Sequence, residues 1–118
     1  FYDQINMGTQ NFILSLFETF CGRYPTKSEL AAATRMVDGQ SSIAFFEEGG
    51  SKADFINIFF RSNDYYEGQV YLIFRAYLYR RPTQTEMTKL AADFRATNNL
   101  KTLQKYVLSL DEYVGLKN

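Results

Sequence analysis

Histidine is absent from this chain of 118 residues, and cysteine occurs once. The first absence removes the commonest general base and the commonest metal ligand. The second leaves Cys21 no partner for an internal disulfide and no cysteine cluster with which to hold zinc. Cys21 lies in an apolar helical stretch and is expected to be a small buried hydrophobe. No apolar run approaches the ~18 residues that a bilayer crossing needs, so no transmembrane helix is expected. Thirteen Lys and Arg face thirteen Asp and Glu, a formal net charge of zero. That balance argues against a nucleic-acid partner, which would require clustered basic side chains to neutralise phosphates. No glycine-rich phosphate loop and no nucleophile–base pair stand out. The expectation is a protein that is not an enzyme and carries no cofactor or metal. The first residue is Phe1 instead of Met, so a processed, trimmed or fragmentary chain is expected.

What is present has a globular balance, with 46% hydrophobic and 22% charged residues, and the length of one domain with a real core. The charge is unevenly spread. Residues 1–68 carry nine acidic and five basic side chains, and residues 69–118 carry four and eight. Such a polarity could favour head-to-tail contact, or be no more than a solvated surface.

The chain repeats itself. Arg23-Tyr-Pro25-Thr26-Lys-Ser-Glu29-Leu30 reads like Arg80-Arg-Pro82-Thr83-Gln-Thr-Glu86-Met87, at an offset of 57 residues. Upstream, Ile13, Leu16, Phe17 and Phe20 map onto Val70, Ile73, Phe74 and Tyr77; downstream, Leu30, Ala33, Thr34 and Val37 map onto Met87, Leu90, Ala91 and Phe94. Each set has the three-and-four spacing of one buried helical face. Within the motif, Thr26 and Thr83 are placed as N-caps, with Glu29 and Glu86 three residues later to complete capping boxes. Pro25 and Pro82 sit just outside, where a missing N–H is harmless and the preceding helix must stop. Arg23 and Arg80, at matching positions, are expected to pair with a helix end or a carboxylate.

A second match, Ser62-Asn-Asp64-Tyr-Tyr66-Glu-Gly68 with Ser109-Leu-Asp111-Glu-Tyr113-Val-Gly115, has an offset of 47. The first copy therefore carries about ten extra residues between Asp38 and Lys52. The periodicity predicts helices over about 10–21, 27–38, 52–61, 63–80, 84–97 and 100–110, with a possible short helix at 42–48 in the insertion. Thr9, Ser51 and Asn99 read as caps. The resulting expectation is an all-α, single compact helical domain of about six or seven helices over 1–118. It would be built from two unequal copies of one unit, about 10–68 with an insertion at about 39–51, and about 69–115.

Gly22-Arg23-Tyr-Pro25-Thr26 followed by Ser62-x-Asp64 resembles the pattern of a loose group of bacterial helical modules, Leu-Gly-Arg-x-Pro-[Asp/Thr] and then Ser-x-[Glu/Asp]-[Tyr/Phe]. Those modules occur in tandem in secreted and surface-layer proteins, and the linker domains of cyanobacterial light-harvesting antennae look similar. The second copy departs from the pattern, with Tyr79 at the glycine position. The resemblance covers most of residues 12–115 and implies a non-catalytic assembly role in a bacterial envelope or extracellular complex, with a periplasmic, cell-surface or secreted location. It supplies no active-site residues.

Two features could carry function. Eleven Phe and nine Tyr make the chain rich in aromatics. Phe45 and Phe46, in the insertion, could plug the core beneath a loop or present a docking edge. Tyr71, Leu72 and Tyr79 lie outside the main stripe of helix 63–80, which is therefore apolar on nearly every face; such a helix is central or is covered by a partner. The adjacent carboxylates Glu47-Glu48 and Asp111-Glu112 read as solvated or helix-capping. Phe45, Phe46, Tyr71 and Tyr79 are thus the candidate partner-binding residues, for another protein or a second copy. A helical module binding a glycan or a small hydrophobic molecule is the alternative, weakened for glycans by the missing tryptophan.

Overall fold

The computed structural model describes residues 2–110, 112, 113 and 115 and is mostly helical. The order is α1 (Tyr2–Leu16), a π-helical turn (Phe17–Cys21), α2 (Lys27–Val37), β1 (Ser42–Ala44), β2 (Glu47–Gly49), α3 (Lys52–Phe59), α4 (Asn63–Leu78), α5 (Gln84–Thr97) and α6 (Leu100–Leu108). The chain divides into two compact units, Phe1–Tyr65 and Tyr66–Asn118, with α4 beginning in the first and continuing in the second.

In the first unit, Ile13, Phe17 and Cys21 follow one another at four-residue spacing along α1 and the π-turn, and all three are buried. They meet Ala33 and Met36 of α2 and Phe55, Ile58 and Phe59 of α3 in one core. Aromatic rings dominate it: Phe17 and Phe59 lie edge-on at 5.7 Å between centroids, and Phe59 and Phe60 at 5.1 Å. Such offset and edge-on pairs add about 0.5–1.5 kcal/mol each beyond the area they bury. Ser51 caps α3 by accepting from the Asp54 N–H at 3.0 Å. Ser62 joins α3 to α4, donating to the Phe59 carbonyl and accepting from the Tyr65 N–H.

The first helix begins at Tyr2, earlier than the expected 10–21. Thr9 is accordingly no cap: it sits inside α1 and its hydroxyl donates to Asp38 Oδ1 at 3.0 Å. The partner lies 29 residues along the chain, so the local sequence around Thr9 carries no sign of this contact. The expected short helix at 42–48 is also absent. That segment is an antiparallel hairpin pairing Ser42 with Gly49, Ile43 with Glu48 and Ala44 with Glu47, a small two-strand sheet within a mostly helical chain. Ser42 and Ala44 are buried and Ile43 between them is exposed, the alternation of a strand. Three residues of alternation are too few to read as a strand beforehand.

In the second unit, α4 buries Tyr66, Val70, Ile73, Phe74 and Leu78, α5 buries Leu90, Ala91 and Phe94, and α6 buries Leu103 and Val107. Tyr66 lies edge-on to Phe94 at 5.2 Å and its hydroxyl donates to Asn98 Oδ1 at 2.7 Å. Asn98 ends α5 in the left-handed region, a conformation that asparagine tolerates, and Asn99 then caps α6. Helix α4 stops at Leu78, two residues short of the expected 80, because Tyr79 turns into the left-handed region at φ +56°.

Each unit contains a joint of the same design. Gly22 ends the π-turn at φ +68°, and Tyr79 follows α4 at φ +56°. Thr26 and Thr83 then open α2 and α5 with complete capping boxes, accepting from the Glu29 and Glu86 N–H groups while those carboxylates accept from the threonine N–H groups, both at 2.8 Å. Arg23 makes two parallel bonds to Glu29 (2.9 and 3.0 Å) and a third to Asp64 (2.7 Å); Arg80 does the same to Glu86 (2.8 and 2.9 Å) and also reaches Glu112. Their guanidinium groups lie over Phe17 and Phe74, at 5.1 and 5.0 Å. The expected counterpart of Asp64, Asp111, lies outside the described residues.

The hairpin is seated tightly on this frame. Ser42 Oγ donates to the Ala32 carbonyl of α2 at 2.8 Å, and Arg61 forks onto Glu47 at 2.7–3.1 Å. A Cβ on Gly49 would stand 2.9 Å from Asp54 Cβ and from Met36 Sδ, whereas one on Gly50 would meet nothing nearer than 4.0 Å. Gly49→Ala is therefore expected to lower unfolding stability in urea by about 1–3 kcal/mol, with Gly50→Ala within about 0.5 kcal/mol of the parent; equal effects from the two would show that the hairpin does not sit as described.

Candidate functional site

A two-residue connection between antiparallel strands favours a type I′ or II′ turn, and the I′ form needs positive φ at both residues, which is why Asn-Gly and its relatives fill it. Here the residues are Phe45, at φ +51°, and Phe46, at φ +67°. A side chain in that region costs about 1–2 kcal/mol per residue. For Phe45 the loss is offset: its ring stacks on Phe17 at 5.7 Å and lies edge-on to Phe59 at 5.8 Å, in the core of the first unit. For Phe46 nothing offsets it. Its side chain is fully exposed, at 102% of the reference area. The two neighbours thus divide the alternatives between them, one plugging the core and the other standing in solvent.

Beside Phe46 lies a cleft of about 320 Å³ between α2 and the hairpin. The small side chains Ala32 and Ala33 of α2 leave its space open, and Phe17, Phe45 and Phe55 supply apolar lining. Ile43, 63% exposed, extends the apolar surface along β1. Glu29 and Asp64 stand at the polar side of the cleft, bridged by Arg23. The Arg23 hydrogen bonds hold the Glu29 carboxyl below the usual carboxylate range, and Glu29 in turn raises the Arg23 guanidinium. Two carboxylates against one guanidinium leave the cluster with one formal net negative charge. The arrangement offers an apolar floor, a protruding aromatic and an acidic rim.

The remaining candidates lie on the second unit. Tyr71 is half-buried between two cations, with the Arg75 guanidinium 5.4 Å and the Arg81 guanidinium 5.0 Å from its ring centre. Tyr79 is 79% exposed in its left-handed conformation. Pro25, Thr26, Glu29, Pro82, Thr83 and Glu86 belong to the two joints. Glu86 is held down to about 2 by Arg80, and Glu112 is lowered by the same arginine. Glu47 and Glu48 are engaged by Arg61 and Ser41 respectively.

Cys21 is buried, its thiol pushed up to about 12 by loss of solvent, so it stays protonated and a poor nucleophile. Among the described residues no three of His, Cys, Asp or Glu are grouped to hold a metal ion, and no helix is long and apolar enough to cross a membrane. Reasoning from sequence missed Ile43 and Asp64 as parts of the site. The alternation around Ile43 between glycines was the available signal for the first; contact across 41 residues left none for the second.

Replacing the strained aromatics should separate their roles. Phe46→Gly is expected to raise stability by roughly 0.5–1 kcal/mol, by relieving the turn, and Phe45→Gly to lower it by about 2 kcal/mol or more, by emptying the core. Thermal unfolding of both variants checks this, and a Phe46→Gly protein less stable than the parent would mean that Phe46 serves the fold.

The chain matches no family model, no curated protein and no solved structure.

Proposed function

We propose that this chain is a non-catalytic protein-interaction or assembly module, built from two unequal copies of one helical unit, that docks another protein through the Phe46 turn and the cleft beside it. The observation that carries the reading is Phe46. A bulky aromatic held at positive φ and left wholly in solvent weakens the fold at two levels, and strained, exposed aromatics are what binding surfaces use. The rigid seat of the hairpin supports this, because a preorganised anchor loses little freedom on binding.

The duplication is supported by the two joints. At one offset of 57 residues stand the left-handed Gly22 and Tyr79, the capping pairs Thr26–Glu29 and Thr83–Glu86, and the arginines over Phe17 and Phe74. The resemblance to tandem bacterial helical modules favours a place in an envelope or extracellular complex. The volume of the cleft, about 320 Å³, favours a second reading, a small hydrophobic ligand, since binding cavities start at about this size. Phe46 lines the cleft yet stays wholly in solvent, which speaks for the protein partner instead.

A photo-crosslinking phenylalanine analogue in place of Phe46, introduced in cells that make the protein, tests this. The expected result is a discrete protein adduct from position 46 and none from the exposed control position Tyr24. Equal adducts from both positions, or none from 46, would contradict a docking role.

A further inference from the structure

We infer that the partner seated on the Phe46 cleft is a second copy of this chain, presenting the Tyr79–Arg81 corner of its second unit; the inference rests on the docking role of Phe46. Four non-glycine residues among those described have positive φ. Phe45 is packed in the core, and Asn98 is of a type that tolerates the conformation and accepts the Tyr66 hydroxyl. The other two, Phe46 and Tyr79, are aromatic and exposed, one on each unit. Tyr79 takes the position where the first joint has Gly22, so a residue that suits the backbone there was available to this architecture.

The two surfaces complement each other in charge. The cleft is apolar with a rim carrying one net negative charge, from Glu29 and Asp64 against Arg23, and the solvent-facing Glu48 lies on β2 nearby in the same hairpin. On the unit that carries Tyr79, the exposed Arg75 and Arg81 flank Tyr71 and make no ion pair with a described carboxylate. The units carry the same signs overall: eight acidic and five basic residues in 1–65, five acidic and eight basic in 66–118. A corner that offers an exposed tyrosine together with guanidinium groups is the kind of surface that fits an apolar, acid-rimmed cleft. The contact joins different surfaces of identical chains, so a pair of copies keeps one free surface of each kind and can grow further.

Light scattering over a concentration series, with Phe46→Ser and Tyr79→Gly variants, tests the inference. The parent chain is expected to gain mass with concentration, more at low salt than at high. Each variant alone should stay at the mass of one chain. Tyr79→Gly should do so with an unchanged or raised Tm, which separates a lost surface from a lost fold. Mixed in equal amounts, the two variants should form a species of two chains that grows no further, because each contributes its intact surface. A parent that stays at one chain mass at every concentration, a variant that still self-associates, or a mixture that fails to pair would overturn the inference. In the first case the crosslink at position 46 decides separately whether Phe46 docks a different protein, since that adduct would then exceed the mass of two chains or fall short of it.

Discussion

An antiparallel hairpin closed by two residues leaves its backbone little choice: the favoured turns put one or both residues at positive φ, whatever their side chains prefer. Phe45 and Phe46 accept that constraint, and much of the first unit follows from it. The tight turn sends adjacent side chains in opposite directions, so one ring completes the aromatic core while the next is delivered to solvent. The same turn holds Ile43 outward and shapes the cleft against the alanine face of α2. A longer, polar loop would free the backbone of strain and lose all three features. The hairpin is in turn held from outside, by Ser42 on α2 and by Arg61 on Glu47, both at hydrogen-bonding distance.

The helices on which this hairpin rests are ordered by the arginine joints. Arg23 fastens the start of α2 through Glu29 and the start of α4 through Asp64, and it covers Phe17. One planar group with several donors thus sets the angle between two helix ends and screens an aromatic of the core, a combination that lysine cannot supply. These pairs are half-exposed, so their value lies in geometry more than in energy. Because Glu29 and Asp64 also edge the cleft, the joint that positions α2 gives the candidate site its charge.

Much of this was legible in the sequence, and the part that was not has identifiable causes. Helices with a clear cap and a clear stripe were well bounded: 27–38, 52–61, 84–97 and 100–110 stand beside Lys27–Val37, Lys52–Phe59, Gln84–Thr97 and Leu100–Leu108. Local chemistry sufficed there, since a capping box is written within four residues. The hairpin was illegible because Phe-Phe is the wrong composition for its turn, and apolar neighbours look helical when no glycine or asparagine separates them. Tyr79 stood out as a departure from a glycine position, yet its backbone adopts the left-handed conformation found at Gly22. Which of Phe45 and Phe46 faces inward depends on a strand register, and a register is set by contacts with α2 and α3 that lie far along the chain. A site made by strain and register, rather than by a motif, leaves only a faint trace in composition.

The central claim is that Phe46 is exposed in the single chain and covered in the functional one. Hydroxyl-radical footprinting read by mass spectrometry, on the parent chain in dilute and in concentrated solution, addresses it most directly. Oxidation of Phe46 and Tyr79 should fall together as concentration rises, while the exposed Tyr24 and Tyr106 stay equally reactive throughout. Phe46 oxidation that stays the same at every concentration would contradict coverage of Phe46 by a second copy.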